Sequence, residues 1–326
     1  MEILVTGVSG LLGLNVASVT SCANSSSTLF GRPASSAVST LGTSAVRWGI
    51  YKSHRVAPPD VETFSLDLVD RQAIHSKILQ ISPKAILHTA GLTNVDACEN
   101  DPEEAERQNV TATEYLAEAA KIVSAKLIHI STDHLSDGTK PFVTEDAPAF
   151  AVNEYARTKL KAEEVVTKIC TDALIIRTNF FGWGTPVKAS FSDWILEGLK
   201  QGKELPLFED VYITPILVNY LWEIICQLLD KKAQGIFNVA GSERVSKYDF
   251  GARLAEKFGY STSGLHKVSV RDVPLRARRP LDMTLNTSKV SLFLGHRMPT
   301  LDESLDQLKA LGEQGWRKVL CPTLEC

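Results

Sequence analysis

Tyr155 and Lys159 stand four residues apart in the run Tyr155-Ala-Arg-Thr-Lys159. On a helix that spacing places both on one face. A lysine ammonium beside a phenol favours the phenolate and draws the tyrosine pKa down from its free value of about 10. Tyr155 would then give or take a proton near neutrality. Thr132 follows an apolar run ending at Ile130, where its hydroxyl can hydrogen-bond a reacting carbonyl. A lone Tyr-x-x-x-Lys is common. One that follows a Ser131-Thr132 strand end and an earlier glycine-rich turn is specific, so Thr132, Tyr155 and Lys159 form a candidate catalytic set.

That turn is Gly7-Val-Ser9-Gly10-Leu11-Leu12-Gly13, which follows the first apolar run and opens a helical one. Glycines let the backbone turn tightly and approach a pyrophosphate, and the amides of a helix N-terminus hold its negative charge. A dinucleotide is therefore expected here. The second strand-like run exits into Tyr51-Lys52-Ser53-His54-Arg55, without the acidic residue that usually takes a ribose 2′-hydroxyl. Lys52, Ser53 and Arg55 suit a 2′-phosphate instead, so the expected cofactor is NADPH/NADP rather than NAD. Asp67 and Leu68, at the end of the next short strand, are expected to flank the adenine.

These residues need a frame. Strands are expected at Glu2 to Thr6, Val46 to Tyr51, Thr63 to Leu66, Ala85 to Thr89, Lys126 to Ile130 and Ala173 to Arg177. Helices are expected at Leu11 to about Thr20, Arg71 to Ile81, Pro102 to about Val123 and Asn153 to about Cys170, with Asp101 as N-cap and Pro102 at the first helical position of the third. Continuous apolar strands alternating with helices predict an α/β, Rossmann-like doubly wound parallel sheet. Gly7, Lys52, Ala90-Gly91, Ser131-Thr132 and Thr178-Asn179 each follow a predicted strand, so they gather at the edge where such sheets bind ligands. Ser9, Ser131 and Thr178 join the cofactor candidates. The Ser-, Ala- and Thr-rich run from about 21 to 45 has no clear period and is expected to be an insertion away from the chemistry. Residues 1–180 are expected to form the NADP-binding domain. Residues 181–326 are expected to form mainly a smaller substrate-binding lobe, part of it returning to the first domain. In that half helices are predicted at Phe191 to Lys200, Tyr220 to Leu229, Lys247 to Phe258 and Leu301 to Leu311, with a strand at Gly235 to Ala240.

Composition narrows the function classes. The chain has 326 residues, 44% hydrophobic and 22% charged, with a net charge of −3. That balance offers no electrostatic case for nucleic acid or an anionic membrane. No run approaches the roughly 18 uncharged apolar residues of a spanning helix, and no signal sequence is evident, so a cytoplasmic protein is expected. Six cysteines lack Cys-x-x-Cys spacing and seven histidines form no ligand cluster, so no metal site is expected. His129, inside an apolar strand run, reads as a core residue.

The motifs resemble the dTDP-4-dehydrorhamnose reductase (RmlD-type) family of extended short-chain dehydrogenases/reductases. The likeness rests on Thr93-Asn-Val-Asp-Ala-Cys-Glu99, the run Asn109 to Ala120, Ile130-Ser-Thr-Asp133, Asp137-Gly138-Thr139 and Tyr155-Ala-Arg-Thr-Lys159. Arg177-Thr178, Thr214-Pro215 and Arg279-Pro-Leu-Asp282 extend it into the second half. The resemblance implies NADPH-dependent reduction of a 4-keto nucleotide-sugar, as in dTDP-rhamnose biosynthesis, by a monomer or homodimer. It implies Thr132, Tyr155 and Lys159 as the catalytic set and Gly7, Gly10, Leu11, Leu12, Ala90, Gly91, Thr93 and Lys159 as the cofactor lining. Asp133, His134, Asn179 and Arg279 are the substrate-side candidates, with Arg278 or Arg279 suited to a diphosphate. His134 and Ser136 stand where the family commonly has aromatics, and Ala156 where a glycine often follows the tyrosine. Two rivals remain: a nucleotide-sugar epimerase or dehydratase on the same fold, and a non-catalytic NADP-binding platform resembling the regulatory subunit of methionine adenosyltransferase.

Overall fold

The structure, a computed structural model, describes residues 1–22, 45–185 and 188–320, with the side chains of 20–22 left aside. Most of the Ser-rich insertion lies outside the described residues. The first half runs β1 (Glu2–Thr6), α1 (Leu11–Cys22), β2 (Ala45–Tyr51), β3 (Glu62–Ser65), α2 (Arg71–Ile81), β4 (Ala85–His88), α3 (Val95–Asn100), α4 (Pro102–Glu106), α5 (Ala112–Ile122), β5 (Lys126–Ile130), α6 (Glu154–Ile169) and β6 (Leu174–Arg177). The second half adds α7 (Phe191–Lys200), β7 (Leu205–Phe208), α8 (Val218–Asp230), β8 (Gly235–Asn238), α9 (Lys247–Lys257), β9 (Leu265–Val268), α10 (Ser288–Leu294), α11 (Leu301–Glu313) and α12 (Trp316–Leu320), with shorter two-residue strands between them.

Seven strands form one parallel sheet in the order β8-β6-β5-β4-β1-β2-β3. Alternation along each strand sorts side chains to two faces. Leu4, Ile50, Ile86, Leu127 and Ile175 pack beneath α2, α5 and α6. Ile3, Val5, Leu87, Ile128 and Ile176 pack beneath α1, α8 and α11. Each such fully buried side chain is stabilising by about 1.5–3 kcal/mol. With both faces covered, the sheet is doubly wound, as its continuous apolar strands predict. Strand order reverses between β1 and β4, which opens a crevice at their C-terminal ends. β8, from the second half of the chain, pairs with β6 in parallel.

The predicted helix Pro102 to Val123 is not uniform. Between α4 and α5, Arg107–Thr111 forms a π-turn, in which the Ala112 amide donates to the Arg107 carbonyl. The wider turn presents Asn109 toward the loop after β4. Asn109 Oδ1 accepts from the Leu92 amide at 2.7 Å, and its Nδ2 donates to the Leu92 carbonyl and to Thr158 Oγ1. Periodicity alone does not reveal such an insertion, because it displaces the pattern by one residue only. No helix of the described residues is long and apolar enough to cross a membrane, and among them no group of three His, Cys, Asp or Glu side chains could hold a metal ion.

Candidate active site

β1 leads straight into the glycine turn. Gly7 adopts φ +71°, and a Cβ there would lie 2.8 Å from the Ala90 backbone. A Cβ on Gly13 would lie 2.4 Å from the Gly7 carbonyl oxygen. The turn therefore packs too tightly for side chains at these two positions, which brings the start of α1 against the sheet edge. The amides of Leu11, Leu12 and Gly13, in the first helical turn, have no intrahelical partner. Leu12 sends its side chain into the core, 2% exposed, so only its backbone is available to a ligand. Ser9 offers its carbonyl to Thr185.

At the next strand exits, Lys52 Nζ lies 3.0 Å from Asp67 Oδ2, both partly exposed. The sequence placed these two in separate roles; adjacent strands make them an ion pair. Ser53 Oγ contacts the neighbouring His54 ring, and Leu68 is buried in the core. After β4, Ala90 and Gly91 line the loop clamped by Asn109, and Thr93 Oγ1 accepts from Lys188 Nζ at 2.8 Å. Lys188 carried no strand-end signal in the sequence.

α6 delivers the catalytic candidates. Its N-cap Asn153 accepts from the Ala156 amide at 2.8 Å and donates to the Arg278 carbonyl, tying the helix start to the basic loop of the second half. Tyr155, Lys159 and Glu163 then face β5 at successive turns. Thr132 acts on the Tyr155 hydroxyl and lowers its proton affinity. Thr132 Oγ1 also accepts from the His134 amide at 3.2 Å. The His134 ring stands edge-on to Tyr155, centroids 5.4 Å apart.

The electrostatics depart from the sequence expectation. Burial pushes the Tyr155 phenol up from its ordinary value, and the neighbouring Asp133 and Cys98 add to that direction. The expected depression by Lys159 is absent. Lys159 Nζ donates to the Ile130 carbonyl at 2.8 Å and lies 3.2 Å from His129 Nε2. Its charge is spent on the strand, and desolvation of the phenol outweighs what remains. Burial also lowers Lys159 to about 8, with Glu163 opposing. Tyr155 is thus held as a neutral phenol.

The substrate-side candidates converge. Asp133, 3% exposed, accepts from Asn179 Nδ2 at 2.6 Å. Burial raises its carboxyl to about 6, against Asn179 and the ammonium of Lys247. Lys247, the first residue of α9, escaped sequence reasoning because nothing local marks it; its charge is felt by Asp133 and His134, and burial with the nearby Arg279 lowers its own proton affinity. Arg279 is bound to Asp96 at 2.7 Å and lines a basic cleft of about 350 Å³ with Asp137, Thr139, Arg271 and Arg278. A larger cavity of about 670 Å³, between Trp183, Trp194, Phe258 and Arg317, shares no residue with this group. Beneath the site, Arg177 forms a bidentate pair with Glu163, whose Oε1 also accepts from Ser131. Thr178 is buried, its Oγ1 without a hydrogen-bond partner.

The comparisons agree with this architecture. dTDP-4-dehydrorhamnose reductase of Escherichia coli is 31% identical over 237 residues, 68% of this chain and 78% of that protein. Methionine adenosyltransferase 2 subunit beta of Xenopus laevis is 30% identical over 254 residues, 72% of each. A Bacillus anthracis dTDP-4-dehydrorhamnose reductase, solved in complex with NADP, superposes with a TM-score of 0.76 at 20% identity, covering 95% of this chain and 98% of that one, which shows the shared fold. The family model described as the RmlD substrate binding domain matches residues 1–311, nearly the whole described chain, and the protein therefore belongs to that RmlD-type family.

Proposed function

We propose that this protein is an NADPH-dependent reductase of a keto group on a nucleotide-sugar, with Tyr155 as the proton donor. The observation that carries the reading is the buried Tyr155 phenol, kept neutral, acted on by Thr132 and standing one helical turn before Lys159. The reductase activity in the name of the Escherichia coli relative supports the same class.

The residues fit a dinucleotide. The tight Gly7 turn sets the start of α1 against the sheet edge, where its first-turn amides suit a pyrophosphate, and the buried Thr178 hydroxyl lacks a partner at the same sheet edge. Gly7, Ser9, Gly10, Leu11, Leu12 and Gly13 would hold the pyrophosphate, Lys52 and Ser53 the 2′-phosphate, Asp67 and Leu68 the adenine side. Ala90, Gly91, Thr93, Ser131, Tyr155, Lys159 and Thr178 would line the rest. When bound, reduced nicotinamide supplies a hydride. Thr132 orients the substrate carbonyl by a hydrogen bond. Tyr155 passes its hydroxyl proton to the oxygen as charge develops there, giving the alcohol. Lys159 keeps one N–H free of its two strand partners for the cofactor ribose. Asp133, His134 and Asn179 face the sugar, and Arg279 with Lys247 supplies positive charge for a diphosphate.

Tyr155→Phe tests this directly. Turnover of a 4-keto nucleotide-sugar with NADPH should fall by about 10²–10⁴-fold, with NADPH affinity retained by fluorescence titration. Undiminished turnover in that variant would remove the assignment. The likeness to methionine adenosyltransferase subunit beta favours a second reading, a nucleotide-binding platform without turnover. NADPH binding without oxidation across a panel of keto-sugars would select it.

A further inference from the structure

Three neighbouring strands carry polar residues side by side at or next to their ends. β1 and β4 end on Thr6 and His88, β5 carries His129 one residue before its last, and parallel register pairs Thr6 with His88 and His88 with His129. All three are at most 1% exposed, on the face that carries Leu4, Ile86 and Leu127. The two imidazole centroids are 5.3 Å apart. Lys159 reaches down to this row from α6 and meets His129 Nε2.

Hydrogen-bond inventory places the protons. Thr113 Oγ1 donates its single proton to the Asn109 carbonyl at 2.6 Å. Its 2.9 Å contact with His88 must then be an N–H donated from His88 Nε2. His88 Nδ1 accepts from the Thr6 hydroxyl at 2.7 Å. An ammonium cannot accept, so His129 Nε2 is the acceptor of Lys159 and its proton sits on Nδ1, which has no partner. The two rings therefore hold opposite tautomers and no charge. A second proton on His129 would stand against Lys159 and His88 without an acceptor. Burial and Lys159 hold both imidazoles below their ordinary range, His88 down to about 3. Glu163 is the one carboxylate acting on Lys159 from its own helix.

We propose that His129 is a positioning residue for the reductase reaction. As a neutral acceptor it joins the Ile130 carbonyl in taking two of the three Lys159 N–H groups, which keeps the amine charged and holds the third N–H for the ligand. The inference rests on the reductase reading for its catalytic consequence but not for its geometry. His129→Phe keeps an aromatic ring and removes the acceptor; His129→Gln returns an acceptor on a flexible chain. The first readout is the pH dependence of Lys159 acylation in cofactor-free protein, followed by mass spectrometry. The second is the pH profile of kcat and of the KM for NADPH with a 4-keto nucleotide-sugar.

In His129→Phe the labelling midpoint should fall by about one pH unit, and the alkaline limb of kcat should move down with it, lowering turnover about fivefold near pH 8. His129→Gln should recover most of both. An unchanged midpoint in His129→Phe overturns the proposal. A shifted midpoint in a protein whose wild type turns over no keto-sugar keeps the positioning role and removes the reductase reading instead. Long-range ¹⁵N–¹H correlation of the wild-type imidazoles needs no variant: a proton found on His129 Nε2 also overturns it.

Discussion

The floor beneath β5 and β6 and the rim at the exits of β2 and β3 each carry an ion pair, under opposite conditions. Glu163 and Arg177 are 3% and 6% exposed and bind through two parallel contacts. Lys52 and Asp67 are 49% and 36% exposed and touch at one point. In the floor neither charge can find water, so each depends on the other and on Ser131. At the rim, water or an incoming phosphate can replace either partner at little cost. The difference separates two tasks. A dry floor fixes strand ends, whereas a wet rim can exchange its partners.

The sharpest way to break this comparison is Arg177→Met. It strands the Glu163 carboxylate, and the expected loss is about 3–5 kcal/mol in urea unfolding. Adding Glu163→Gln should recover part of it. A loss in the single variant as small as that of a surface pair would show that the floor is wetter than its burial indicates.

Asp133 offers the next largest effect. Its carboxyl is raised from 3.8 to about 6 by burial. Between those values the folded chain holds a proton that the unfolded chain releases. Its contribution to stability is complete below about pH 4, declines as pH rises to 6 and is lost above, by roughly 3 kcal/mol in total. Melting temperature followed from pH 4 to 7 should carry that slope in the wild type and lose it in Asp133→Asn. An identical slope in both proteins would assign the titration to another group.

At the rim, Lys52→Ala should change stability by about 0.2–1 kcal/mol or less. Its consequence should lie in recognition: NADPH affinity should fall several-fold while NADH affinity hardly moves, with the gap closing at high salt. Equal losses for both nucleotides would take the 2′-phosphate away from Lys52.

Much of the frame was legible before any coordinates. The strands at Glu2 to Thr6 and Lys126 to Ile130, the glycine turn, and the helix bearing Tyr155 and Lys159 follow from periodicity and turn chemistry, which act within a few residues. The π-turn at Arg107 to Thr111 was hidden, because Asn109 earns its geometry from Leu92 and Thr158, distant in sequence. Lys247 and Lys188 were hidden for the same reason: neither adjoins a motif, and each reaches the site only through the packing of the second half.

The amino-acid sequence by itself determined which chemical groups are present at the sheet edge and in what order they arrive, since β-strand ends and helix faces are local properties. Tertiary structure alone decided how their charges are used. It gave Lys159 to His129 and the Ile130 carbonyl rather than to the phenol, Arg177 to Glu163, and Arg279 to Asp96. The physical reason is that desolvation and cross-strand register depend on the whole fold. At Tyr155 they outweigh a favourable neighbour four residues away, leaving the phenol protonated where spacing had suggested a phenolate.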